Sequence, residues 1–230
     1  REEAQRRVVE ALAQHVSWLH RTSTATFNRI KAAIDDAGKR LSSDLLERLD
    51  NLTPAELSAL SQGKYTTSRL KGIQNELEAW VESLDSEIKA IFHEDGQALA
   101  GQEVSYTEDL LGSVLTDSAA TGLAAAEVYD KALSQPVLGQ FVEDMLSEVS
   151  ENTRKRVYNT VRDGIAQGQT NSEIVRTLRG TKALNWKDGV LQVTRTEAER
   201  VVRVSELWIV RPAGTPTACR WRSRSRKSWV

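Results

Sequence analysis

The chain has 230 residues, 40% hydrophobic and 27% charged, with 4 prolines and 13 glycines, a helix-rich profile that excludes disorder throughout. The net charge of -1 hides an imbalance, because the last twenty residues carry Arg211, Arg220, Arg222, Arg224, Arg226 and Lys227 and no acid, +6 in all, which leaves -7 for the first 210. A single cysteine, Cys219, excludes an internal disulfide and fits a reducing place of synthesis, while no apolar run nears the ~18 residues of a membrane span and "REEAQRRVVEALAQHV" is too charged for a secretory signal.

From Glu2 to about Leu49 the sequence is dense in Ala, Glu, Arg, Leu and Lys without proline, which predicts one long helix or two joined near Thr22. Val8, Leu12, Val16 and Leu19 give it an apolar stripe. Thr53-Pro54-Ala55-Glu56 combines an N-cap threonine, a proline at the first helical position and a glutamate able to close a capping box, so a short helix to about Leu60 follows. Leu70, Ile73, Leu77, Trp80, Leu84, Ile88 and Ile91 then recur every three or four residues, the seam of a long amphipathic helix. Its seam covers only about three heptads, which favours an antiparallel hairpin with the first helix over an independent coiled coil.

"GQEVSYTEDLLGSVL" and "AATGLAAAEVYDKAL" read as two further helices, and Gln135-Pro136 ends the second. Leu138, Phe141, Val142, Met145, Leu146, Val149, Val157, Val161 and Ile165 outline another long helix that Gly168 stops or caps. Thr170-Asn171-Ser172-Glu173 repeats the capping-box pattern before a short helix whose buried side is Ile174, Val175 and Leu178 and which stops at Gly180. "GVLQV" could pair locally as a strand. Thr194 with Glu197 and Thr196 with Glu199 read as two overlapping capping boxes that start a last helix. The fold class is mainly α: an extended helical hairpin or bundle over 1–135, a small helical domain over 136–203, and an irregular basic tail over 204–230.

Candidate chemistry is sparse. His15 and His20 lie five apart, so they do not share the helix face that a zinc pair at i and i+4 uses. His93-Glu94-Asp95 lacks a second histidine and reads as solvated charge at a helix end. No phosphate loop, dinucleotide fingerprint or nucleophile elbow is present, and Asp35-Asp36 alone carries no acid-base signal. No catalytic, cofactor or metal residues are assigned, and an enzyme is not expected. Arg154-Lys155-Arg156 reads as a solvated helix face, since consecutive residues point in different directions. In the tail, Arg220, Arg222, Arg224, Arg226 and Lys227 interleave with Trp221 and Trp229, a composition able to neutralise phosphates and stack on bases. The abrupt change at Val204 favours an unstructured or out-of-frame end over a nucleic-acid-binding arm.

The stretch "PVLGQFVEDMLSEVSENTRKRVYNTVRDGIAQGQTNSEIVRTLRG" followed by "VTRTEAERVV" resembles the phage head-morphogenesis family, the minor head proteins similar to the Mu F protein. Gly168 and Thr170 match the family's turn, Ile174 and Leu178 its short helix, and Arg195, Thr196 and Glu197 the start of the next helix. The resemblance spans roughly Leu70 to Val202, and its weight comes from the order and spacing of short motifs. It departs at about Val204, where the family's closing segment is not matched. The resemblance implies a minor capsid protein of the virion, made in the bacterial host cytoplasm, that assists head assembly near the portal. Its implied partners are portal and other head proteins, packaged DNA and other copies of itself, without a membrane. Two other readings stay open: a nucleic-acid-contacting protein that uses the basic tail, and a helical coiled-coil adaptor unrelated to phage.

Overall fold

The computed structural model describes residues 2–114 and 124–209, and it is mainly α, with no strand among the described residues. Among the described residues seven α-helices follow in chain order: α1 (Glu2–Asp50), α2 (Pro54–Ser61), α3 (Ser68–Val114), α4 (Ala125–Leu133), α5 (Val142–Ala166), α6 (Asn171–Arg179) and α7 (Leu191–Ile209). The first helix is unbroken through Thr22. The third is longer than its seam predicts, because "GQEVSYTEDLLGSV" continues it instead of starting a separate helix. Without a proline or a turn cluster near Gly101, nothing ends the backbone ladder there.

The two long helices form the expected antiparallel hairpin. Contacts step in opposite directions along them, from Arg48 with Glu76, through the Trp80 indole N–H donating to the Ala37 carbonyl at 2.8 Å, to Arg29 with Asp95 and His15 with Glu103. Leu70, Ile73, Leu77, Trp80, Leu84 and Ile88 are all buried, as the seam predicts, against Ile30, Ile34, Leu41, Leu45 and Leu49 of α1. Each such side chain contributes about 1.5–3 kcal/mol by leaving water. This core runs on through Leu60, Val149, Val157, Val161, Ile174, Leu178, Ala198 and Val202, so residues on both sides of position 135 build one cluster. A smaller cluster, Leu99, Ala100, Tyr129 and Ile209 with Trp18 and Leu19 against it, lies further along the hairpin.

Thr53 caps α2 as predicted: its hydroxyl accepts from the Glu56 N–H, and the Glu56 carboxylate accepts from the Thr53 N–H at 3.0 Å. Three expectations fail on tertiary grounds. Leu138 and Phe141 precede α5 and are 83% and 47% exposed, because Val137 and Gln140 close a tight turn with Leu138 and Gly139 at positive φ. "GVLQV" starts α7 instead of a strand. That helix also continues past Val204 to Ile209, where an irregular segment is expected, since Val202, Ser205 and Ile209 keep a buried face at helical spacing. The side chain of Val8, residues 115–123 and the tail from 210 onward lie outside the described residues.

Candidate functional site

The motif residues from Gly168 to Glu197 lie along α6, α7 and the turns before them, where α6 and α7 pack on both α1 and α5. Gly168 takes φ +72° just after α5, and Gln169 donates its N–H to the Gly164 carbonyl at 2.9 Å, which turns the chain. Thr170 then caps α6. Its hydroxyl accepts from the Glu173 N–H, while its own N–H donates to the Glu173 carboxylate at 2.8 Å, a bond that holds this carboxyl below its usual range. Ile174 and Leu178 are fully buried, and Ile174 seats on Gly164, where a Cβ would come within 2.6 Å of it.

After Gly180 the chain makes a tight loop to Val190. Asp188 clamps it by accepting from the Thr181 N–H at 2.7 Å and the Thr181 hydroxyl at 2.9 Å, and the first of these bonds lowers its pKa. Asn185 and Trp186 both take positive φ, and the Arg179 guanidinium lies over the Trp186 ring, 3.9 Å from its centroid. The Val190 N–H donates to the Thr177 carbonyl at 3.0 Å, which sets α7 in place.

The helix is therefore already under way at Leu191, and the two capping boxes expected at Thr194 and Thr196 do not form. The hydroxyl of Thr194, fully buried, pairs with that of Thr153 on α5 at 2.8 Å; Thr153 in turn donates to the Val149 carbonyl. Thr196 is exposed and donates to the Gln192 carbonyl. Glu197 accepts both guanidinium N–H groups of Arg156, and Glu199 pairs with Arg203 at 2.7 Å. The local pattern permits a cap, but α5 has taken Thr194 and Glu197, and partners one turn away within α7 have taken Thr196 and Glu199.

Arg195 is the centre of this joint. It is 3% exposed, donates to Asp35 on α1 at 2.7 Å, to the Trp186 carbonyl at 2.9 Å and to Gln192 at 3.1 Å. One guanidinium thus ties α7 to α1 and to the preceding loop, with its planar fork spread over three acceptors. Arg195, Thr196 and Glu197 point in three directions: inward to α1, out to solvent, and across to α5. The charges of Arg195 and Glu197 both end on opposite charges, so the motif holds helices together.

The Arg154-Lys155-Arg156 triplet is paired throughout, Arg154 and Lys155 with Glu151 and Arg156 with Glu197. His93-Glu94-Asp95, expected as solvated charge, is instead a second joint. The His93 ring bonds the Tyr129 hydroxyl of α4 at 2.7 Å through Nδ1 and Glu143 of α5 at 2.8 Å through Nε2, while Glu94 and Asp95 both pair with Arg29. Tyr129 packs on Gly96, and burial holds its phenol protonated well above the usual range. Two neighbours give it partners that local sequence cannot show. His15 forms a third, stacked on Tyr106 at 3.7 Å between ring centroids and 3.0 Å from Glu103, whose pKa burial raises. His15 and His20 do not meet as a pair, and the described residues hold no group of three or more His, Cys, Asp or Glu able to bind a metal. No described helix is long and apolar enough to cross a membrane. Arg220, Arg222, Arg224, Arg226 and Lys227 lie outside the described residues.

Fold and site together define a mainly α protein whose helices are fastened by buried and half-buried polar joints. Comparison with protein-family models, with curated proteins and with solved structures finds no match.

Proposed function

We propose that the chain is a minor head protein of a phage, assisting head morphogenesis near the portal through protein–protein contacts and not through catalysis. The observation that supports this reading is the ordered set Gly168, Thr170, Ile174, Leu178, Arg195, Thr196 and Glu197, which follows the order and spacing of the resemblance; of these, Ile174 and Leu178 are buried, Arg195 ties α7 to α1, and Glu197 ties it to α5. Long helical faces with paired charges suit a protein that works by contact. In this reading the protein travels with procapsids and contacts the portal and other head proteins. The Arg154-Lys155-Arg156 triplet offers nucleic acid less than its three charges suggest, because Glu151 and Glu197 offset two of them.

The test is genetic and biochemical. Disruption of the reading frame is expected to abolish normal heads, and the intact protein is expected to sediment with procapsids. Normal heads after disruption, together with absence of the protein from procapsids, would reject the proposal.

A further inference from the structure

Along α1, one buried face runs back from Ile30 through Thr26 and Ser23 to the partly buried Leu19, and the same three- and four-residue spacing continues to Val16, Leu12 and Val9. Over the first part of this face α7 lies antiparallel to α1. Leu191 packs on Gly38, Arg195 bonds Asp35, and Ile209 joins Trp18 and Leu19. There the cover stops. Val16, Leu12 and Val9 are 63%, 45% and 66% exposed, an uncovered stripe in line with a covered one.

The surroundings of this stripe are acidic. The described side chains of residues 6–16 and 103–110, brought side by side by the His15–Glu103 pair, include Glu10, Glu103, Glu108 and Asp109 against Arg6, a formal charge of -3. Residues 210–230 begin where α7 reaches Leu19 and carry +6, together with Val210, Trp221 and Trp229.

We propose that residues 210–230 dock on the Val9–Leu12–Val16 face of their own chain. Tryptophan rings and arginine stems cover the apolar stripe, while the guanidinium groups face Glu10, Glu108 and Asp109. Reach is ample, since 21 residues extend to about 70 Å and the open stripe spans about 10 Å. Pro212 and Pro216 oppose a straight helical extension of α7, so the stretch from Arg220 to Trp229 makes the contact. A second copy is the weaker occupant: a stable interface between chains needs about 800 Å² per partner, more than three side chains supply. A tethered segment meets the face at an effective concentration of order millimolar. The contact is electrostatic at its rim, so rising salt releases the tail.

Cys219, the only cysteine, provides the probe. In the full chain at low protein concentration, Ala13→Cys, beside the stripe, is expected to form an intramolecular disulfide with Cys219 at about 50 mM salt, and to lose it near 1 M. The yield should exceed that of Lys64→Cys, at the other end of the hairpin, by about tenfold. Equal yields at the two positions, no bond at Ala13→Cys, or a disulfide-linked dimer in its place overturns the proposal. A spin label on Cys219 of the unmutated chain checks the same point without any substitution: it should be immobilised at low salt and freed at high salt, and free motion at both rejects docking.

Discussion

Arg195 carries a full charge at 3% exposure, so what surrounds it must replace the water it has lost. Asp35 is 28% exposed and remains partly hydrated, whereas the Trp186 carbonyl accepts from Arg195 alone among the bonds described. Replacement by Met therefore leaves one half-wet carboxylate and one unpaired carbonyl. The expected cost is about 2–4 kcal/mol, read as a lower urea midpoint with an unchanged slope. Arg195→Lys should fall between, because one ammonium cannot span three acceptors. A loss below about 1 kcal/mol for Arg195→Met would show that α7 is held by its apolar face alone.

At the scale of elements, the loop between α6 and α7 depends on one close crossing. Gly189 lies against the backbone of Arg179 and Gly180, where there is no room for a side chain and no flexible end to move. Gly189→Ala is expected to cost about 3 kcal/mol or more in thermal or urea unfolding. Gly139→Ala provides the contrast: open space surrounds it, and its φ of +90° costs only the left-handed strain, about 1 kcal/mol. Equal effects at the two glycines would contradict the crossing. The legibility of the sequence divides along the same line. Where a side chain answers to its own backbone within three or four residues, as at Thr53, Thr170 and the seam from Leu70 to Ile88, the reading holds. Thr194 and Thr196 show the same local pattern, yet a bond from Val190 to Thr177 places them inside a helix already begun. His93 finds Tyr129 and Glu143 36 and 50 residues away, and Leu138 is turned outward by a two-residue bend. Such partners are fixed by packing, which periodicity does not encode.

Across the whole molecule, stability is distributed unevenly. The larger core begins at Ile30 on α1 and reaches Phe92 on α3, whereas the far end of the hairpin is secured by the second cluster, by His15 against Tyr106 and Glu103, and by Trp18. Amide hydrogen exchange should show this as a gradient. Residues 30–49 and 70–92 are expected to open only with global unfolding, and residues 6–16 and 103–110 to exchange at least tenfold faster. Uniform protection along α1 would refute the gradient.

The unbroken backbone of α1 gives that gradient a mechanical consequence. From Ile30 to Glu2 the helix extends about 42 Å beyond the grip of the main core, and with α3 fastened to it through Arg29–Asp95 and His15–Glu103 the two helices form one stiff lever arm. A tilt of only ~5° at the grip carries the far end through about 4 Å, roughly the diameter of a methyl group. Repacking too small to disturb the Arg195 joint is thereby magnified into a displacement that a neighbour bound at the other end of the rod would register.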